Sequence, residues 1–96
     1  MRLKKSRLAE ADLVEIVDYG VDRFGVELAL AYIDAIETCC RALLDFPHRG
    51  RTENELHHGL RSVSSGSHRV YYAIEDDQVV IRRVLHKSRD AKLWLT

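Results

Sequence analysis

Arg82, Arg83, His86, Lys87 and Arg89 crowd the end of the apolar stretch Val79–Lys87 and the residues just beyond it. Cations at that density suit contact with something anionic or polar. His86 adds an imidazole whose unperturbed pKa of about 6.5 lets it move a proton near neutrality. The plainer alternatives stay open: a histidine bonded to backbone, and a solvated tail carrying Lys87, Arg89 and Lys92. Arg82 and Arg83 are neighbours on a strand, so they face opposite sides of a sheet. One is expected on the open face. The other is expected near the helices, with its head paired to Asp12, Glu15 or Asp18. Arg61, Arg69 and Tyr71 lie on earlier strands. Cys39 and Cys40 are adjacent on a helix, which poorly fits a disulfide, and no CxxC or Cys/His spacing suggests a metal. No cofactor or metal site is expected.

The elements that must hold these residues can be read in order. Residues 1–5 suit a short strand, and Ser6 suits an N-cap. Leu13, Ile16, Val17, Val21 and Phe24 recur at helical spacing, with Asp12, Glu15, Asp18 and Asp22 expected on a wet acidic face. Gly25 breaks the helix. Ala29, Tyr32, Ile33, Ile36, Cys40, Leu43 and Leu44 mark a second helix from about Val26 to Leu44, which makes an αα-hairpin. Phe46-Pro47 ends it. A polar loop, His48–His58, leads to three strands: Leu60–Ser65, His68–Glu75 and Val79–Lys87, with turns at Gly66-Ser67 and Asp76-Asp77. In the middle strand Val70, Tyr72 and Ile74 alternate with Arg69, Tyr71 and Ala73. The last strand is apolar on both faces at its start, as a central strand would be. Residues 88–96 form a tail anchored by Leu93, Trp94 and Leu95.

The expected fold is α+β, in the order β-α-α-β-β-β: one domain, residues 1–96, with a helical hairpin on one face of an antiparallel sheet. The first strand is expected to pair within that sheet, because a lone strand leaves its backbone unsatisfied. The other face is expected to be open, concave and cationic, with Tyr71 exposed on it. A net charge of zero hides strong segregation. Residues 1–7 hold four cations and no acid, residues 8–46 hold nine acids against two arginines, and residues 47–96 hold nine cations against six acids. All five histidines lie in the last block. No apolar run approaches membrane-spanning length and no signal peptide is visible, so a soluble cytoplasmic protein is expected.

The segments EADLVEIVDY (Glu10–Tyr19), RFG (Arg23–Gly25), FPHRGR (Phe46–Arg51), GLRSVSSGSHRVYY (Gly59–Tyr72) and IRRVLHKSRD (Ile81–Asp90), in this order and spacing, resemble the ParE branch of the RelE/ParE toxin superfamily. The resemblance covers nearly the whole chain. It implies the toxin of a bacterial type II toxin–antitoxin module, a non-enzymatic inhibitor of DNA gyrase. It implies neutralisation by a ParD-like antitoxin, a ribbon-helix-helix protein whose C-terminal segment wraps the toxin and which alone contacts operator DNA. Arg82, Arg83, His86, Lys87 and Arg89 are then candidate target contacts. Arg61, Arg69, Tyr71 and Trp94 are candidate antitoxin contacts, with Tyr71 either a stacking platform or an anchor. Part of the apolar stripe on the helices would stay open as a groove for an antitoxin helix.

The RelE branch of the same superfamily cleaves mRNA on the ribosome, which needs a base, an acid and phosphate-holding cations. Arg69 and Lys87 match its cations. Its lysine positions fall at Leu60 and Ser62, and its tail tyrosine falls near Leu93. No catalytic residue is therefore assigned, although His86 is a conceivable substitute base. Two alternatives to gyrase inhibition remain: a RelE-type ribonuclease, and a non-toxic module that only binds its antitoxin.

Overall fold

A computed structural model describes residues 1–95. The chain runs β1 (Arg2–Lys5), α1 (Arg7–Phe24), α2 (Val26–Ala42), β2 (Arg51–Thr52), β3 (Leu60–Ser65), β4 (His68–Glu75), β5 (Gln78–His86) and α3 (Ala91–Trp94). The sheet order is β1-β5-β4-β3-β2. The β3–β4 and β4–β5 hairpins are antiparallel, and Asp76 and Asp77 at the second turn both have positive φ, as a tight two-residue hairpin requires. This is the expected α+β architecture, with two additions. β1 pairs with β5 in parallel, Leu3 opposite Val79, so the sheet is only mostly antiparallel. The polar loop also contributes a short edge strand, β2, beside β3.

Ser6 caps α1 by accepting from the Ala9 N–H at 3.0 Å, and donates its own hydroxyl proton to the Arg82 carbonyl at 2.7 Å. One residue thus starts the helix and fixes it to β5 where β1 ends. Gly25 has φ +89, a region that L side chains avoid, and lets α2 fold back on α1. α2 ends at Ala42 rather than Leu44, and a tightened turn runs on to Phe46. The hairpin buries Ala9, Leu13, Ile36, Cys40 and Leu43 against Val63, Val70, Tyr72, Val79, Ile81 and Val84.

A bulge alters the last strand. Tyr71 lies opposite Arg83 and Tyr72 opposite Ile81, which leaves Arg82 as the extra residue. The alternation shifts there, so Val79, Ile81 and then Val84 share the helix side. Leu85 joins Leu60 and Tyr71 on the other side, with Leu56, Ala91 and Leu95 packed over them. The expectation of an open face with Tyr71 exposed is corrected: Tyr71 is 7% exposed. The polar loop and α3 fold over this face, and Leu56 and Leu95 cover its apolar patch.

Candidate functional site: a groove between the helices and the end of the sheet

Among the described residues the end of β5 beyond Ile81 has no strand on its outer edge; α1 lies along it instead. Asp12 projects from α1 and accepts from Arg83 Nε and Nη2, each at 2.8 Å, and from the Val84 backbone N–H at 2.9 Å. One carboxylate therefore satisfies an edge amide that would otherwise be bare and pairs a guanidinium in bidentate geometry. Asp12 is 8% exposed, so its expected place on a wet acidic face is corrected. The interior position is tolerable only because three donors surround the charge. Arg83 also donates from Nη1 to the Trp94 carbonyl at 2.8 Å, tying α3 to the same knot. Arg82 pairs with Glu75 on the surface, through Nη2 at 2.6 Å. Of the two arginines, Arg83 is the one committed to the body of the protein.

Next to this knot opens a groove of about 920 Å³. Ile16, Tyr19 and Gly20 of α1 and Phe24, Leu28 and Tyr32 of the hairpin form one wall; His68, His86, Ser88 and Arg89 form the other. Phe24 of the expected helical stripe is 64% exposed, as is Leu28 beside it, so the end of the stripe lies open. Its continuation towards the turn between the helices is an exposed apolar surface formed by Phe24, Val26 and Leu28.

The polar wall is organised by Tyr32. Its hydroxyl accepts from the Ser67 N–H at 2.9 Å and lies 2.6 Å from His68 Nδ1. The His68 and His86 rings meet edge to face, with centroids 5.2 Å apart. His86 Nδ1 is held by Ser88, from the backbone N–H at 3.0 Å and the hydroxyl at 2.8 Å. Burial lowers the His68 pKa, helped by His86 and Arg89 and opposed by Asp12. A histidine with a depressed folded pKa protonates more readily when unfolded, so its folded environment favours stability above an unfolded pKa of about 6.5 and loses ground below it. Thermal midpoints should therefore fall as pH drops through that value. His68→Gln should flatten the slope, and an unchanged slope would show that His68 does not set it.

The remaining expected site residues lie apart from the groove. Arg61 points to the helix side and donates to the His48 and Gly50 carbonyls, which fixes the loop after α2. Arg69 lies on the opposite face and donates to Ser62 Oγ at 2.9 Å. Ser62 in turn donates to Glu53, which also receives Arg51 Nε at 2.9 Å. Burial pushes the Glu53 carboxyl up, but the Ser62 and Arg51 hydrogen bonds and the nearby arginine charges prevail and hold it below the usual range. Trp94 is stacked by two guanidinium groups, Arg89 at 4.2 Å and Arg83 at 5.7 Å from its ring centroid. Leu95 packs inward, whereas Leu93 is 75% exposed and anchors nothing. Thr96, included in the expected tail, lies outside the described residues. Burial pushes the Cys40 thiol up to about 12, seconded by Cys39 and Glu37, which leaves it unreactive. Among the described residues no group of three or more His, Cys, Asp or Glu is placed to hold a metal, and no helix is long and apolar enough to cross a membrane. Sequence reasoning missed Tyr32 and His68 as groove residues. Their signal, a tyrosine on the helical stripe and a histidine beside a hairpin turn, reads locally as core and turn.

Fold and groove together define a small α+β protein with a groove between its helices and the end of its sheet. Residues 3–91 match the family described as the ParE toxin of the type II toxin–antitoxin system, parDE, and the chain belongs to that family. It is 38% identical over 90 residues to Toxin ParE1 of Caulobacter vibrioides, covering 94% of this chain and 93% of that one. It is 34% identical over 86 residues to Toxin ParE1 of Mycobacterium tuberculosis, covering 88% of each. The solved chromosomal ParDE TA system from P. aeruginosa contains a chain that superposes with a TM-score of 0.80 at 25% identity, over 90% of this chain and 95% of that one.

Proposed function

We propose that this ParE-family toxin acts in the cytoplasm by binding DNA gyrase, without catalysis of its own, and that a ParD-like antitoxin holds it inactive. The antitoxin is a ribbon-helix-helix protein whose C-terminal segment occupies the groove along Tyr19, Phe24 and Leu28. Operator DNA is contacted only through the antitoxin. The observation that carries the non-catalytic part is the filled sheet face. Where a RelE-type ribonuclease would set lysines, this chain has Leu60 and Ser62, both buried. Tyr71, Leu85, Leu56 and Leu95 pack around Leu60. Arg69 hydrogen-bonds to Ser62, and Glu53 is held ionised by donors, which makes it a weak base. A phosphodiester has no open floor to sit on there.

An inhibitor of a topoisomerase needs only to bind one state of the cleavage cycle better than the others. The purified toxin should therefore trap cleaved plasmid DNA when gyrase and ATP are both present, and antitoxin added beforehand should prevent it. Normal growth and normal plasmid supercoiling during induced expression would reject the proposal. Transcript cleavage in induced cells that Arg69→Ala abolishes would establish the ribonuclease reading instead.

A further inference from the structure

The wall of the groove formed by β4, β5 and the turn after β5 carries His68, His86 and Arg89, donors that make no ion pair among the described residues. The Ser88 backbone N–H can only donate, so His86 Nδ1 carries the lone pair and Nε2 the proton. The Ser67 N–H donates to Tyr32 Oη, and Tyr32 Oη pairs with His68 Nδ1 at 2.6 Å; where the tyrosine proton lies on that bond, His68 too carries its proton on Nε2. Neither Nε2 has a hydrogen-bond partner among the described residues. Arg89 lines the same wall, rests on the Trp94 ring and takes part in none of the ion pairs among the described residues. Of the acids in the groove, Asp12 is consumed by Arg83 and Val84, and Glu15 lies on the α1 side.

We propose that His68, His86 and Arg89 form a recognition point for one carboxylate, an acidic side chain carried by the antitoxin segment that fills the groove. The inference rests on the reading of the groove as the antitoxin's seat and adds to it the chemistry that selects the partner. An imidazole N–H and a guanidinium on one groove wall suit an oxygen ligand, because neither can accept. The apolar wall of Ile16, Tyr19 and Phe24 and the negative Glu15 disfavour a polyanion such as nucleic acid. They suit a single carboxylate on a segment that is otherwise apolar. Protonation adds a second proton at Nδ1, which Ser88 Oγ can accept from His86 and Tyr32 Oη from His68; a bound carboxylate favours this imidazolium, so binding takes up protons. Affinity should rise as pH falls from about 8 to about 6, with Tyr32, Asp12, Glu15 and Arg89 as the other groups facing the two rings.

Two measurements test this. In the first, the toxin is titrated with sodium acetate against sodium chloride at constant ionic strength while its imidazole nitrogens are followed by NMR. The Nε2 signals of His68 and His86 should move saturably and their titration midpoints should rise, while His48, His57 and His58 follow bulk salt alone. Five histidines responding alike would overturn the proposal. In the second, affinity for the ParD-type antitoxin encoded with the toxin is measured across that pH range. The H68Q/H86Q double variant should bind about tenfold or more weakly at the acid end and lose the pH slope. Leu28→Asp should abolish binding at every pH. If Leu28→Asp abolishes binding but the histidine variant keeps both affinity and slope, the carboxylate point is wrong and the groove reading stands. If Leu28→Asp binds normally, the groove reading itself falls.

Discussion

Asp12→Ala should be among the most damaging single substitutions in this chain, costing about 3–5 kcal/mol of stability. The carboxylate accepts from both arms of Arg83 and from the Val84 N–H. The side chains of Asp12 and Arg83 are 9% and 12% exposed, so removing one leaves a shielded, uncompensated charge as well as a bare edge amide. Urea unfolding should show the loss as a lower midpoint with an unchanged slope. Asp12→Asn, which keeps one acceptor oxygen, should lose less. Pairing Asp12→Ala with Arg83→Met should restore part of the deficit, because the unpaired cation goes too. If the double variant is as weak as the single, the damage comes from the Val84 amide and not from the ion pair. Trp94 is the sole tryptophan, and its carbonyl hangs on Arg83, so its emission should shift in the Asp12→Ala variant even where the fold survives.

Gly50→Ala should cost at least about 1–3 kcal/mol for a single methyl group. A Cβ at Gly50 would lie 2.5 Å from Tyr72 Oη, 2.7 Å from its ring and 2.9 Å from the Ser62 carbonyl. None of these can yield cheaply. Tyr72 is fully buried, and its hydroxyl donates to the Pro47 carbonyl at 2.7 Å while accepting from the Gly50 N–H at 2.9 Å. Ser62 is fixed in the β3 ladder. Relief would require the loop after α2 to lift from the sheet, which breaks both tyrosine bonds and the Arg61 bond to the Gly50 carbonyl. Thermal denaturation of Gly50→Ala beside Tyr72→Phe separates the two costs. The glycine variant should be the less stable, and equal midpoints would mean that the loop absorbs the methyl group without strain.

Much of this architecture was legible because it is local. The helical stripes, the Gly25 break, the two hairpin turns and the alternation of Val70 and Tyr72 with Arg69 and Tyr71 are properties of short windows. The parts that were not legible depend on contacts between distant segments. β1 is a strand in any reading, but its parallel partner is a matter of tertiary closure. The bulge at Arg82 moves Val84 and Leu85 to faces that simple alternation would exchange. Asp12 looks solvated on a helical wheel and becomes interior only because β5 offers a bare edge and an arginine. Tyr71 looks exposed until the loop through Leu56 and the helix before Leu95 are laid over it. The groove is legible in half: its apolar helical wall follows from periodicity. Its donor wall is made by Tyr32, His68, His86 and Arg89, which only the folded chain assembles.

The parallel pairing of β1 with β5 has a consequence for how the toxin is born. The sheet and edge contacts of residues 2–12 are made to residues 77–84: Leu3 beside Val79, the Ser6 hydroxyl on the Arg82 carbonyl, Asp12 on Arg83. A ribosome making the chain delivers the first of these segments long before the second. Contacts so far apart in sequence also close slowly. Throughout most of its own synthesis the polypeptide therefore lacks the segment that clasps its first strand and helix. Closure of the fold is thus the last event of synthesis.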